Sequence, residues 1–184
     1  MPDLPFILRP ARLDDVLPYA GFLSDPEVSV WLDDSAQRPI STGRVESILL
    51  REAWCLWVIE VNGVPAGVTS LYDPDTSRGT ARLSIVVGNR QYWGQGLGTA
   101  AVKRVLEHAF FALGLRKVES EYLEPNQSAR ILHERANFTI EGRLRNDAWR
   151  RGQWIDRILL SILREEYLAR REPPSVDRGA GVSR

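Results

Sequence analysis

The sequence predicts an α/β fold, and three adjacent segments carry the prediction. Leu83, Ile85, Val86 and Val87 suit a strand, residues 91–99 form a glycine-rich turn, and residues 100–110 place apolar side chains at helical spacing. With 184 residues, 43% of them hydrophobic, the chain can bury one substantial core. We therefore expect a single domain over residues 1–171 and a disordered, Pro- and Gly-containing tail over residues 172–184.

A short strand and three helices are predicted in the first part of the chain. Residues 6–9 can open a sheet, and the helices are expected over residues 14–23, 26–31 and from Ser41 or Thr42 to about Ala53. Asp25 is a favourable N-cap for the second helix because its carboxylate can accept a backbone N–H. Pro26 then takes the first helical position, where a missing N–H costs nothing.

A β-hairpin follows these helices. The strands Trp54–Val61 and Val64–Tyr72 flank Asn62-Gly63, the commonest sequence for a two-residue hairpin turn. Residues 73–79 are predicted to form a loop before the strand at residue 83, because they combine Pro, Gly, Asp and Ser.

The glycine-rich turn between strand and helix predicts an anion site. Such a turn leaves backbone N–H groups unpaired at the positive end of the helix dipole, which suits a phosphate or pyrophosphate. Gly94, Gly96 and Gly98 are each two residues apart, whereas a dinucleotide-binding turn has the spacing G-x-G-x-x-G. A Walker A loop ends in Gly-Lys-Ser/Thr, and Lys103 comes too late for it.

The turn resembles the (Arg/Gln)-x-x-Gly-x-(Gly/Ala) signature of the GNAT superfamily of coenzyme A-dependent N-acyltransferases. Gln91, Gly94 and Gly96 occupy its fixed positions. The resemblance implies acetyl-CoA as co-substrate. It also implies a mixed, mostly antiparallel central sheet flanked by helices, with a splayed cofactor strand. The coenzyme-binding residues it implies are Val86, Val87, Gly88, Gln91, Trp93, Gly94, Gln95, Gly96, Leu97, Gly98, Thr99, Asn126 and Ala129.

A second segment is similar to the next motif of that family. A helix ends at Leu113-Gly114-Leu115, where glycine suits a left-handed cap, and a strand is predicted over Lys117–Leu123. Residues 126–138 then resemble the family's Asn-x-x-(Ala/Ser)-x-x-(apolar)-Tyr-x-x-x-Gly-Phe element, which lies along the pantetheine arm. Asn137 replaces the usual glycine, and His133 replaces the usual tyrosine.

The end of the chain is similar to the branch that acetylates ribosomal-protein N-termini and polyamines. Its closing hairpin corresponds to residues 140–144, 149–156 and 158–163. The resemblance implies direct transfer of the acetyl group to a primary amine in a ternary complex. The amine acceptor could be a protein N-terminus, a polyamine or another small amine.

Three groups are expected to run this chemistry. The resemblance implies an oxyanion donor among the backbone N–H groups of residues 86–88, where Gly88 would permit a bulge. It implies Glu121 as the base, although Glu119 and Glu121 could equally form a solvated face of their strand. It implies His133 as the acid, with a packed histidine as the alternative. Related enzymes often carry a glutamate where this chain has Arg82.

Composition narrows the remaining possibilities. A lone Cys55 and the absence of a leader or of an apolar run of membrane length favour a cytoplasmic protein without a membrane partner. Equal numbers of basic and acidic residues, 24 each, disfavour nucleic acid as a partner. No metal site is predicted. Trp31 could line the acceptor site or belong to the core. The arginine-rich last third leaves an anionic acceptor, a homodimer interface or a solvated surface open.

Two other functions are consistent with the same residues. A coenzyme A-binding regulatory module without catalysis would fit Arg82 and the missing tyrosine at position 133. A plain nucleotide-binding α/β domain is a further alternative, which the glycine spacing disfavours.

Overall fold

The computed structural model describes residues 4–52 and 54–170, and its centre is a seven-stranded sheet. The strands lie side by side in the order β1-β2-β3-β4-β5-β7-β6, and every neighbouring pair is antiparallel except β4 and β5. This arrangement confirms the predicted mixed, mostly antiparallel sheet. The strands are β1 Ile7–Arg9, β2 Cys55–Val61, β3 Val64–Asp75, β4 Thr80–Val86, β5 Lys117–Leu123, β6 Thr139–Arg150 and β7 Gln153–Leu163.

Helices cover both faces of the sheet. In the described residues they are α1 Val16–Ser24, α2 Pro26–Ser29, α3 Thr42–Ser47, α4 Leu97–Glu107, α5 Gln127–Arg135 and α6 Arg164–Ala169. Helices α3 and α4 continue into π-helical turns, and short 3₁₀ turns occur at Leu13–Asp15, Asp34–Gln37 and Arg90–Tyr92. On one face, α4 packs on the β4 and β5 residues Ala81, Leu83 and Val118. On the other face, α1 and α3 pack on Val58, Val68 and Val86.

The helix predictions for the first part of the chain are confirmed, with small shifts of their ends. Asp25 caps α2 by accepting the N–H of Glu27 at 2.9 Å, and Pro26 is the first helical residue. Ser41 caps α3 by accepting the N–H of Arg44 at 3.2 Å. The predicted end of that helix at Ala53 and the predicted tail at 172–184 lie outside the described residues.

The hairpin between β2 and β3 is also confirmed. Asn62 and Gly63 have φ values of 51° and 78°, as a type I′ turn requires, and Val61 pairs with Val64. Strand β3 is longer than predicted, because Asp75 still pairs with Thr80 across an irregularity in the register. The loop predicted over residues 73–79 is therefore reduced to the turn after Asp75, whose carboxylate accepts the Ser77 hydroxyl at 2.6 Å.

The helix end predicted at Gly114 is confirmed, and Asn137 ends a second helix in the same way. After α4 and its π-helical turn, Gly114 has φ 66°, and the N–H of Leu115 donates to the carbonyl of Ala109 at 3.0 Å. After α5, Asn137 has φ 65°, so asparagine takes the left-handed position that glycine usually fills. Among the residues that the structure describes, we find no helix whose length and hydropathy would let it span a lipid bilayer.

Candidate active site

The glycine-rich turn opens directly onto the N-terminus of α4. Gly94 and Gly96 have φ values of 73° and 81°, and Gly96 is the N-cap of the 11-residue helix. The first helical bond runs from the N–H of Ala100 to the carbonyl of Gly96 at 3.0 Å. The N–H groups of the first turn, at residues 97–99, therefore have no carbonyl partner within the helix and can receive an anion.

Polar side chains of the turn brace its backbone. The indole N–H of Trp93 donates to the carbonyl of Val87 at 2.7 Å. The Gln95 amide donates to the carbonyl of Gln91 at 2.6 Å, and the Asn89 side chain accepts the N–H of Gln91 at 3.2 Å. The predicted coenzyme residues Trp93 and Gln95 thus shape the turn with their side chains and leave the backbone to face the ligand.

The glycines of this region have two different roles. A Cβ atom at Gly94 or Gly96 would meet nothing within 4 Å, so these positions keep open space beside the helix N-terminus. A Cβ at Gly98 would lie 2.9 Å from Leu132, and one at Gly88 would lie 2.1 Å from the ring of Phe22. Gly98 and Gly88 therefore permit close packing of α5 and α1 against this end of the sheet.

A basic groove that was not predicted from the sequence runs beside the turn. Its charged lining residues are the cationic Lys103, Arg104 and Arg135 and the acidic Glu60, whose charge is paired with Arg9; Gly96 and Thr99 line it as well. The Arg104 guanidinium lies 4.5 Å from the centre of the Phe6 ring, and Lys103, Arg104 and Arg135 are all exposed. Thr99 and Lys103 are one helical turn apart, a spacing that could have revealed the groove. Its charge suits further phosphate groups of the same ligand.

Beyond Arg82, β4 and β5 separate and form a fork. Their pairing is limited to residues 80–82 with 117–119. At the next position, the Ser120 hydroxyl lies 3.2 Å from the carbonyl of Leu83, so a side chain makes the contact that the backbone no longer makes. The predicted splay of the cofactor strand is thus present in the structure.

The end of β4 carries a bulge. In the regular register with β3, residue 88 would lie opposite Ala66, but it is the N–H of Asn89 that donates to the carbonyl of Ala66, at 3.0 Å. One extra residue is therefore accommodated at Val87-Gly88. The carbonyl of Leu83 faces β5, and strand alternation directs the N–H of Val87 toward the same gap. Of residues 86–88, Val87 is the one best placed to donate to an oxyanion.

Glu121 lies on the fork with both carboxylate oxygens engaged. One oxygen accepts from Arg82 of β4 and the other from Arg157 of β7. The Arg82 guanidinium also lies 5.4 Å from the centre of the Tyr72 ring, and Arg157 donates to Asp147 of β6 at 2.6 Å. Glu121 is therefore part of a row of charged residues across the sheet. Its carboxylate is paired with arginines, so it is not simply part of a solvated strand face, which was the alternative. This arrangement favours a role in ordering the site over a role as a free base.

His133 is buried, with 3% of its surface exposed. Nδ1 lies 2.8 Å from the carbonyl of Ala129, which can only accept, so Nδ1 carries the proton of the neutral ring. Nε2 lies 2.9 Å from the Ser120 hydroxyl. The ring stacks on Tyr122 and meets Phe138 edge-on, and burial lowers the pKa of His133, opposed in part by the bond to Ala129. This placement favours the packing alternative over the acid role.

The two remaining predicted residues of the second motif lie at the start of α5. The Asn126 side chain caps the helix by accepting the N–H of Ala129 at 3.0 Å. Ala129 is partly buried against the core that α4 and α5 share. The segment therefore borders the fork from the α5 side. Groups of His, Cys, Asp and Glu that could hold a metal ion are absent from the described residues.

Trp31 borders the fork from the opposite face of the sheet. Its partly buried side chain packs against Leu123 at the end of β5 and against Ala148 and Ile155 of the closing hairpin. Trp31 is thus both a core contact and a wall beside the fork. The arginines of the last third are largely paired: Arg143 with Asp156 and Glu124, Arg150 with Asp34, Arg151 with Glu27, and Arg157 with Asp147 and Glu121.

Known proteins are similar to this chain in sequence and in fold. Residues 6–139 match the acetyltransferase (GNAT) domain family. Spermidine N(1)-acetyltransferase of Escherichia coli K12 is 28% identical over 118 residues, 64% of this chain and 63% of that enzyme's length, so the alignment covers less than two thirds of the relative. A putative ribosomal N-acetyltransferase of Bacillus subtilis, YdaF, is 25% identical over 72% of this chain and 76% of the relative.

Two solved structures show the same fold. The spermidine N-acetyltransferase of Vibrio cholerae, in complex with CoA and spermine, superposes with a TM-score of 0.78 at 20% identity, covering 89% of this chain and 98% of the other. RimL, a ribosomal L7/L12 α-N-protein acetyltransferase in complex with CoA, superposes with a TM-score of 0.77 at 16% identity over 89% of this chain and 98% of the other. The non-catalytic alternative finds no support in these relatives.

We predict that Gly96→Asn weakens acetyl-CoA binding about ten- to a hundredfold, the cost of losing one hydrogen bond to a charged group. Asparagine tolerates the left-handed φ, but its side chain enters the open space that the anion would occupy. Isothermal titration calorimetry measures the effect. Gly152→Asn is the matched control, because Gly152 has φ 82° and equally open surroundings on a distant hairpin. Equal affinities of the two variants would contradict the site.

We predict that the free energy of unfolding falls between about pH 7.5 and about pH 5.5 and that His133→Phe removes part of this fall. Because the folded-state pKa of His133 is lowered, the unfolded chain binds the proton more readily, so stability present above about pH 6.5 is lost below it. Urea unfolding measures the effect, and His108→Phe, which removes the other histidine, is the control. An unaltered pH dependence in His133→Phe would contradict the buried neutral ring.

The same variant tests the acid role predicted from the sequence. A packed, neutral His133 predicts turnover within a few fold of the wild type once a substrate is known. General acid catalysis typically contributes about 10² to 10⁴-fold. A loss of that size in His133→Phe, with unchanged coenzyme affinity, would restore the acid role.

Proposed function

The chain belongs to the GNAT acetyltransferase family, and we propose that it transfers the acetyl group of acetyl-CoA to a primary amine by direct attack in a ternary complex. The observation that carries the proposal is the continuity of three features along the chain. The fork, the bulge at Val87-Gly88 and the open N-terminus of α4 follow one another between Leu83 and Thr99. An extended ligand with a thioester at one end and phosphates at the other fits that order.

The backbone performs the electrostatic part of the proposed reaction. The amine nitrogen attacks the thioester carbonyl carbon, and the carbonyl oxygen becomes an oxyanion that the N–H of Val87 stabilises. The carbon–sulfur bond then breaks, the coenzyme leaves as a thiolate, and the nitrogen gives up its proton to solvent water, so that the products are the amide, the thiolate and a proton. The first-turn N–H groups of α4 and the cations of the basic groove hold the phosphates throughout.

A large part of the acceptor must already be deprotonated to the neutral amine before it binds. The carboxylates around the fork have partners: Glu121 and Asp147 bind arginines, and Asp33 accepts both the N–H and the hydroxyl of Ser35. Asp33 and Glu121 also act on Tyr72, whose pKa is raised mainly by burial, so this phenol keeps its proton at neutral pH. A strong base with open access is therefore not evident among the described residues.

An acceptor with an α-amino group fits this environment better than a polyamine. The reference pKa of an α-amine is about 7.7 to 8.0, against about 10.4 for an aliphatic amine, so a much larger fraction is neutral at pH 7.5 without a base. In addition, the row of Arg82, Glu121, Arg157 and Asp147 pairs its opposite charges internally and offers a polycation little uncompensated negative charge. We therefore propose the N-terminal α-amine of a peptide or protein as the acceptor.

We predict a higher kcat/KM for a short peptide with a free α-amine than for spermidine at about pH 7.5. The advantage should shrink as the pH rises toward about 9.5, because the aliphatic amines of spermidine become neutral there as well. Release of free coenzyme A thiol measures both rates, and N-terminally blocked peptide is the control. A preference for spermidine at neutral pH would contradict the acceptor class, and no turnover with any amine would contradict acetyl transfer itself.

A further inference from the structure

The segment Val30–Asp34, which follows α2, packs beside the fork through Trp31, and we propose that Arg150 is the positioning residue that holds it there, on the face from which the acceptor approaches. This inference rests on the proposed acetyl transfer and adds a residue that determines how the acceptor is bound. Trp31 of this segment packs on Leu123, two residues beyond Glu121 on the same face of β5. Burial raises the pKa of Tyr72 on β3, and the charge of Asp33 adds a minor contribution in the same direction.

The guanidinium of Arg150 makes the contacts that hold the segment. Nε donates to the carbonyl of Val30 at 2.9 Å, and Nη2 donates to the carbonyl of Leu32 at 2.6 Å. Nη1 donates to the Asp34 carboxylate at 2.8 Å and to the carbonyl of Trp149 at 2.8 Å. Two backbone carbonyls and one side chain of a five-residue segment thus converge on one side chain of β6.

Burial makes these contacts strong and specific. Arg150 is 4% exposed, so its charge is removed from water and depends on these acceptors. Helix α2 ends at Ser29, and the carbonyls that follow it have no further helical turn to donate to them. Arg150 satisfies two of them. Only the planar guanidinium group of an arginine can reach several acceptors in these directions at once.

The strand geometry explains how the side chain of Arg150 reaches the segment Val30–Asp34. Ala148 and Arg150 alternate with Trp149 along β6, so both point toward the segment, while Trp149 is exposed on the other face. Ala148 leaves room for Trp31, and Arg150 fixes the backbone on either side of it. The closing hairpin therefore sets the position of the wall that faces the amine.

The neighbouring Arg151 provides a matched control. It also contacts α2, through an ion pair with Glu27 at 3.1 Å, but both side chains are more than half exposed. Exposed pairs contribute little because water competes for the charges. Arg151→Lys and Arg150→Lys therefore make the same chemical change in adjacent residues, one outside the proposed contact and one at its centre.

The test combines hydrogen exchange with steady-state kinetics in the whole protein. Arg150→Lys keeps the charge but loses the planar guanidinium group, so backbone amides of residues 30–36 should exchange at least about tenfold faster than in the wild type. The KM for the peptide acceptor should rise by about tenfold, with little change in the KM for acetyl-CoA. Arg151→Lys should match the wild type in all three measurements.

A second variant guards against misfolding of Arg150→Lys. Asp34→Ala removes one exposed partner and leaves the carbonyl contacts of Arg150 in place, so it should shift exchange and acceptor KM in the same direction by a smaller factor. Unchanged exchange of residues 30–36 in both variants, or equal changes in the KM values of acceptor and acetyl-CoA, would overturn the role of Arg150. A wild-type protein that acetylates no amine would overturn the proposed reaction instead, and the exchange measurement would still decide whether Arg150 holds the segment.

Discussion

The parallel pairing of β4 and β5 ends after Arg82 and Glu119, and the proposed active site depends on that ending. Parallel neighbours need a crossover, and here the crossover contains α4, whose N-terminus must therefore lie at the end of β4 where the two strands separate. The anion site and the open backbone of β4 consequently face the same cleft. Strand alternation from Leu83 directs the N–H of Val87 into that cleft, next to the extra residue at Val87-Gly88. One topological feature thus determines where we propose that the phosphate end and the reacting end of a coenzyme thioester bind.

The polar side chains around the fork are largely occupied by one another. Glu121 binds two arginines, His133 bridges Ser120 and the backbone of α5, and Arg150 holds the segment beside Trp31. These groups order the site, because each would be costly to leave unpaired once buried. The backbone N–H groups of the site are not engaged in these side-chain contacts, so they are the hydrogen-bond donors available to a ligand. Because the side chains are occupied in this way, the site favours an acceptor whose amine is already partly deprotonated in solution.

Local features of this fold could be predicted from the sequence, and distant pairings could not. The turn at Asn62-Gly63, the cap at Asp25 and the loop around Gly96 each depend on residues within one turn of the chain, where residue type and spacing decide the conformation. The partners of Glu121 lie 39 and 36 residues away, and Arg150 reaches Val30 across 120 residues. The sequence left open whether His133 is an acid or a packed histidine, because the depth at which its ring is buried depends on Tyr122 and Phe138.

The central claim is that the N–H of Val87 binds the thioester carbonyl, and amide hydrogen exchange at Val87 tests it most directly. Acetyl-CoA and coenzyme A share their phosphates, so both should protect the first-turn amides of α4 at residues 97–99 to the same degree. Only acetyl-CoA carries the carbonyl oxygen, so only acetyl-CoA should slow exchange of the Val87 amide further. Residue-resolved exchange by NMR, with each ligand at saturation, measures both regions in one sample. Equal protection of Val87 by the two ligands, with residues 97–99 protected, would contradict the account.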